Sequence, residues 1–237
     1  MLNVTENGNE FSNSVVIEGG NFDVSYTRNE DKRVFIDYTH SVIKVCTDDY
    51  NARIWGLTIN TAIFGRDSKH GIGINLGPDK ADIVESEYDI NDYGYATQIK
   101  LGGVINNLGT GIRAESYWEN KVCYNWVTGL IIDTSILDCE QAIYIKNADA
   151  DIRGLIQAPS IESAQNDTAL IHIDSAFPVG IGASIFDVGQ PGKAEYAVSI
   201  DNENNCPVQA YGLFASQCKG AAPENLCTGF TGRFYYA

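Results

Sequence analysis

Ile143-Tyr144-Ile145-Lys146 is answered 28 residues later by Ile171-His172-Ile173-Asp174, and after a further 27 by Val198-Ser199-Ile200-Asp201. Earlier copies are Ile112-Arg113-Ala114-Glu115 and Ile72-Gly73-Ile74-Asn75, at intervals of 31 and 40, and Phe230-Thr231-Gly232 follows Val198 by 32. Within each copy an apolar residue alternates with one of another kind. Successive strand side chains face opposite ways, so the alternation assigns Ile72/Ile74, Ile112/Ala114, Ile143/Ile145, Ile171/Ile173 and Val198/Ile200 to an interior. Gly73/Asn75, Arg113/Glu115, Tyr144/Lys146, His172/Asp174 and Ser199/Asp201 face water. Strands that repeat at this interval, with no amphipathic helical stretch between them, predict a stacked coil.

A second series interleaves with the first. Glycine leads apolar residues in Gly56-Leu57-Thr58-Ile59, Gly103-Val104-Ile105, Gly129-Leu130-Ile131-Ile132, Gly154-Leu155-Ile156, Gly182-Ala183-Ser184-Ile185 and Gly212-Leu213-Phe214. Aligned on the glycines, Leu57, Val104, Leu130, Leu155 and Leu213 share one face, and Ile105, Ile131, Ile156 and Phe214 lie on the other. A strand apolar on both sides is buried on both sides. A row of exposed Ile and Phe would invite aggregation. Self-association along this face is therefore expected, with a symmetry these residues do not determine.

The chain has 237 residues, with 44% hydrophobic and 20% charged, a composition that folds. Strand segments are also expected at Val15–Ile17, Arg33–Ile36 and Val42–Val45. Residues 1–14 read as a flexible polar lead and 15–234 as the coil. An acidic lateral loop is expected at about 77–97, and an aromatic cap at 229–237. The formal charge of −15 opposes a nucleic-acid partner. No apolar run reaches the length of a membrane span, so no membrane insertion is expected. Met1 to Phe11 lacks the basic and apolar regions of a signal peptide. The six cysteines show no CxxC spacing. Synthesis in a reducing cytoplasm, with thiols acting as small buried hydrophobes, fits that pattern.

Turns such as Arg53-Ile54-Trp55-Gly56-Leu57-Thr58-Ile59 and Leu108-Gly109-Thr110-Gly111-Ile112 resemble rungs of the pectin-lyase-like superfamily. Within it the chain most resembles the β-helix of bacteriophage tailspikes and tail fibres. The likeness is one of pattern over roughly residues 15 to 234. It implies an all-β, right-handed, single-stranded parallel β-helix and a homotrimer housed in the virion tail beside other tail proteins. The resemblance also implies a protein made in the host cytoplasm that binds, and often cleaves, bacterial surface polysaccharide.

Glycosidic cleavage needs two carboxylates flanking the bond. Residues at equal register on adjacent rungs lie one strand spacing apart, which pairs Asp174 with Asp201 and puts Glu115 in the same column beyond Lys146. Glu115, Asp174 and Asp201 are the catalytic candidates. The alternative is a solvated ladder of mixed charge. The neighbouring column, Arg113–Tyr144–His172–Ser199, suits glycan binding: Arg clamps acidic groups, Tyr stacks on a sugar face, and His titrates near neutrality. Lys146 belongs with them. Tyr117 and Trp118, in Glu115-Ser116-Tyr117-Trp118-Glu119, offer flat sugar platforms or else a packed turn. Asp149-Ala150-Asp151 is a weak calcium signal, and no metal or cofactor is expected. A glycoside hydrolase or lyase, and a purely structural virion protein, stand as alternatives to a binding protein.

Overall fold

The computed structural model describes residues 2–6, 11–13, 15–24, 26–29, 32–35, 40–47, 53–66, 69–77, 93–119, 122–157, 169–186, 196–200, 208–211, 214–215, 231–232 and 235–236. They form an all-β structure with no helix among the described residues, and its large sheets are built of parallel strands in an order compatible with a β-helix solenoid.

Sheet A has seven strands in the order β1 (Leu2–Glu6), β6 (Ser41–Thr47), β9 (Ile72–Leu76), β12 (Thr110–Glu115), β16 (Gln141–Lys146), β19 (Ala169–Asp174) and β22 (Tyr196–Ile200). Each circuit of the chain adds one strand. The register puts Ile43, Ile74, Ile112, Ile143, Ile171 and Val198 above one another, all 0% exposed. Val45, Leu76, Ala114, Ile145, Ile173 and Ile200 are the next buried apolar residues along these strands, and Asn75, expected to face water, is 0% exposed. Each such isoleucine, fully buried, stabilises the fold by roughly 1.5–3 kcal/mol.

Sheet B carries β2 (Phe11–Asn13), β7 (Arg53–Trp55), β10 (Tyr93–Thr97) and β14 (Val122–Thr128), with β13 (Tyr117–Glu119) antiparallel to β14. Ile54, Ala96 and Val127 are its inward residues.

Sheet C begins with long strands: β3 (Val16–Asp23), β8 (Thr58–Phe64), β11 (Lys100–Asn106) and β15 (Leu130–Leu137). Beyond β15 each circuit contributes two short strands instead. These are β17 (Ala150–Arg153) with β18 (Leu155–Gln157), β20 (Val179–Ile181) with β21 (Ser184–Phe186), β23 (Val208–Ala210) with β24 (Phe214–Ala215), and β25 (Thr231–Gly232) with β26 (Tyr235–Tyr236). A separate antiparallel hairpin joins β4 (Tyr26–Asn29) to β5 (Lys32–Phe35). Ile59, Leu101, Ile132, Ile152, Ile181 and Ala210 form one inner column of sheet C. Ile63, Ile105, Ile136, Ile156 and Ile185 form a second. Cys139 is buried in this interior, where burial pushes its thiol up to about 12, and Cys46 is buried outside the core cluster.

Several expectations are corrected. Residues 2–6 and 11–13 pair with β6 and β7, so the stretch taken as a lead supplies rung strands. Thr231–Gly232 pairs with Gln209–Ala210 in sheet C, not with the sheet A series. A Cβ on Gly73 would meet the Ile105 side chain at 2.9 Å, so Gly73 faces inward, while Ile72 aligns with half-buried Thr110 and Gln141. The expected lateral loop falls mostly outside the described residues, although its end, Tyr93–Thr97, is a strand of sheet B.

The doubly apolar strand is also overturned. Gly56 and Gly129 precede β8 and β15, whereas Gly103 lies within β11 and Gly154 between β17 and β18. Aligning these glycines therefore shifted half of the series out of register. Ile105 and Ile156 are 1% and 0% exposed, on the inner face. The outer face of sheet C is mixed: it exposes Asn60, Lys100, Asp133 and Arg153 together with Val16 and Leu155, and half-buries Val104 and Ile131.

Candidate functional site

The outward columns of sheet A carry most of the candidate residues, and the backbone register aligns them rung by rung. Lys44, Asn75, Arg113, Tyr144, His172 and Ser199 occupy one column. Glu115, Lys146 and Asp174 occupy the next. The rings of Tyr144 and His172 stack with centroids 5.3 Å apart and planes 7° from parallel. The two rings thus each cover a face of the other, in a column with Arg113 on one side and Ser199 on the other.

Glu115 anchors the second column. It pairs with the Arg113 guanidinium and lies 3.6 Å from Lys146 Nζ. Arg113 Nη1 also donates to Asn75 Oδ1 at 3.5 Å. Both carboxylate oxygens of Glu115 therefore face a cation, which suits a fixed anchor and not a group that must give up a proton. The corner that follows is tied down by polar side chains. Asn125 Nδ2 donates to the Glu115 carbonyl at 3.1 Å, and the Val127 N–H donates to Ser116 Oγ at 2.9 Å. Burial pushes the Tyr144 hydroxyl above its ordinary value, with Glu115 and Asp174 adding to the rise and Lys146 and Arg113 opposing it.

Asp174 is half-buried and aligned with Lys146. Asp201 lies outside the described residues, so the Asp174–Asp201 pair does too. Tyr117 is half-buried on β13, which pairs with β14 and stands apart from the Tyr144 stack. Trp118 lies on the same strand, and its side chain is outside the described residues. The structure thus brings Arg113, Glu115, Tyr144, Lys146, His172 and Asp174 together and leaves Tyr117 on another sheet.

Sequence reading missed what flanks the ladder. A recess of about 490 Å³ runs along the start of the sheet A strands, lined among others by Lys69, Thr110, Glu140, Gln141, His172 and Ser199. Burial raises the Glu140 carboxyl, against the lowering charges of Lys69 and His70. Lys69 and Glu140 lie in turns, where no periodicity marks them. On sheet C, Asp151 accepts from Arg153 Nε at 3.0 Å and from the Tyr211 hydroxyl. Burial alone would raise the Asp151 carboxyl, but the bonds from Arg153 and Tyr211 and the Arg153 charge bring it below its usual value. Asp149 Oδ2 accepts the Gly129 N–H at 2.7 Å. Asp149 and Asp151 therefore serve the protein's own donors, and no metal-binding group of His, Cys, Asp or Glu occurs among the described residues. No protein-family model, curated protein or solved structure matches this chain.

Proposed function

We propose that this chain is a right-handed parallel β-helix acting as a phage tail spike or fibre component, which recognises host cell-surface polysaccharide through the outer face of sheet A. The observation that carries the reading is the Tyr144–His172 stack. The stack fixes both rings, and its rim carries the Tyr144 hydroxyl and the imidazole nitrogens, hydrogen-bonding groups that suit sugar hydroxyls. Arg113, Lys146, Asp174 and Ser199 surround it with donors and acceptors for hydroxyl groups. The adjoining recess gives a sugar side branch a place to lie.

Recognition without cleavage is the form this proposal takes. Glu115 is committed to Arg113 and Lys146, which supports a binding ladder over a catalytic one. The homotrimer belongs to the proposal through the resemblance of the rungs alone, because Ile105 and Ile156, which had argued for a covered outer face, lie inside. Light scattering on the purified chain tests that part.

The central test replaces Tyr144 by Ala and measures binding to purified envelope polysaccharide and to host cells. Loss of one stacked ring should weaken binding by up to about tenfold with little change in melting temperature. Unaltered affinity in a well-folded Tyr144→Ala protein ends this reading.

A further inference from the structure

The last parallel strand of sheet B is β14, whose first half is paired with β13, and beside its Trp126–Thr128 half lies a groove that the sheet A ladder does not use. After β16 the chain turns straight into sheet C through Asn147–Asp149, with no strand to continue sheet B. The step leaves a hollow of about 580 Å³ walled by Trp126, Ile131, Asp149, Asp151, Phe177 and Pro178, within the size range of small-ligand sites. Its aromatic wall is Trp126 and Phe177, with ring centroids 5.9 Å apart and planes at 41°. Phe177 is held in place by its backbone. Buried Ser175 Oγ donates to the Ala148 carbonyl at 2.9 Å and accepts the Phe177 N–H at 3.0 Å. The turn is thereby clamped onto the short connection that makes the step.

Trp126 also ends a column. The register of sheet B aligns Phe11, Arg53, Tyr95 and Trp126, flanking the inward line of Ile54, Ala96 and Val127. The charged residues lining the groove are both carboxylates, Asp149 and Asp151. Asp151 is paired with Arg153 and Tyr211 and keeps only spare lone pairs, while Asp149, whose Oδ2 accepts the Gly129 N–H, has its second oxygen to offer a ligand hydroxyl. Flat apolar rings opposite negatively charged acceptors complement a ligand that has an apolar face and hydroxyl donors but carries no negative charge.

We infer that the Trp126–Phe177 groove is a second carbohydrate subsite, taking a neutral pyranose unit stacked on the rings with its hydroxyls directed to Asp149 and Asp151. This rests on the carbohydrate reading above, but it places the site on a different sheet with a different ligand preference.

The test uses the full chain and titrates dextran, mannan and galactan oligosaccharides as neutral probes, with polygalacturonate oligosaccharides as the acidic comparator. Phe177→Ala should weaken binding of the preferred neutral probe by up to about tenfold at unchanged melting temperature. Trp126→Phe, which keeps a ring in the wall, should weaken it less. In a Tyr144→Ala background the remaining neutral-sugar binding should persist and then be lost on adding Phe177→Ala. Neutral binding indifferent to both groove variants overturns the subsite while leaving the sheet A ladder standing. So does a polygalacturonate affinity that depends on Phe177 more than the neutral ones do, or a dimer that Phe177→Ala dissociates. If the unaltered chain binds none of these probes and no envelope polysaccharide, the carbohydrate reading itself falls, and the groove with it.

Discussion

The circuits before Leu137 and those after it solve the same closure problem with different numbers of strands. In the earlier ones, sheets A and B and a long strand of sheet C enclose the core. After Lys146 no described residue belongs to sheet B, and β15 is followed not by one long strand but by β17 and β18, one on each half. The inner columns nevertheless run straight through the change, from Leu101 and Ile132 to Ile152 and Ile181. What differs is the outer surface. A ledge forms where the missing strand would be, and the Trp126–Phe177 groove occupies it. Continuity of the core is therefore compatible with abrupt change at the surface, which is where a solenoid can acquire a site.

A line of bending residues runs through sheet C on both sides of the change. Gly103, in register with Thr61 and Thr134, has φ +89, and a Cβ there would collide with the Thr61 backbone. Gly154 has φ +87, and its Cβ would lie 2.6 Å from the Thr134 carbonyl oxygen. The sheet folds along this line because glycine tolerates the left-handed conformation and lets adjacent backbones close up. The division into β17 and β18 sharpens a bend that β11 already carries.

Five substitutions break or sharpen the contrast, in order of expected effect. Leu101→Ala and Ile152→Ala sit on one buried column, on opposite sides of the change. If the core is continuous, each should cost about 2–5 kcal/mol in urea unfolding. A much smaller loss at Ile152 would mean the later circuits do not share the earlier core. Gly154→Ala should cost about 1–3 kcal/mol through backbone strain, and Gly103→Ala about as much if the same fold line spans both regions. Asp151→Asn probes only the later circuits, where Asp151 holds Arg153 and Tyr211. Its carboxyl sits below the usual carboxylate value when folded. Its contribution is therefore full above that usual value and is lost as pH falls through it toward the folded one. Melting curves should show that the variant loses less stability between neutral and acid pH than the unaltered chain. The difference should stay below ~1 kcal/mol because the pair is near solvent.

How much of this was legible follows from what each residue pattern encodes. The sheet A columns could be read directly, because alternation in Ile143-Tyr144-Ile145 and its copies leaves one register in which every isoleucine but Ile72 faces inward. Sheet C could not be read that way, since glycine marks two unrelated positions there. Gly56 and Gly129 make left-handed turns ahead of a strand, a place that Gln98 also fills with φ 54. Gly103 and Gly154 mark the fold line. Asp151 and Tyr211 are 60 residues apart, and no local pattern joins them.

By itself, the amino-acid sequence determined a parallel stack of short strands and the outward ladder from Arg113 to Ser199, because strand alternation is a local rule that repeats. Only the tertiary structure decided where sheet B stops, which glycines bend sheet C, and that Trp126 meets Phe177 across the step. These depend on how many residues each circuit spends between its strands. That quantity governs which distant residues become neighbours, but it leaves no periodic mark on the chain.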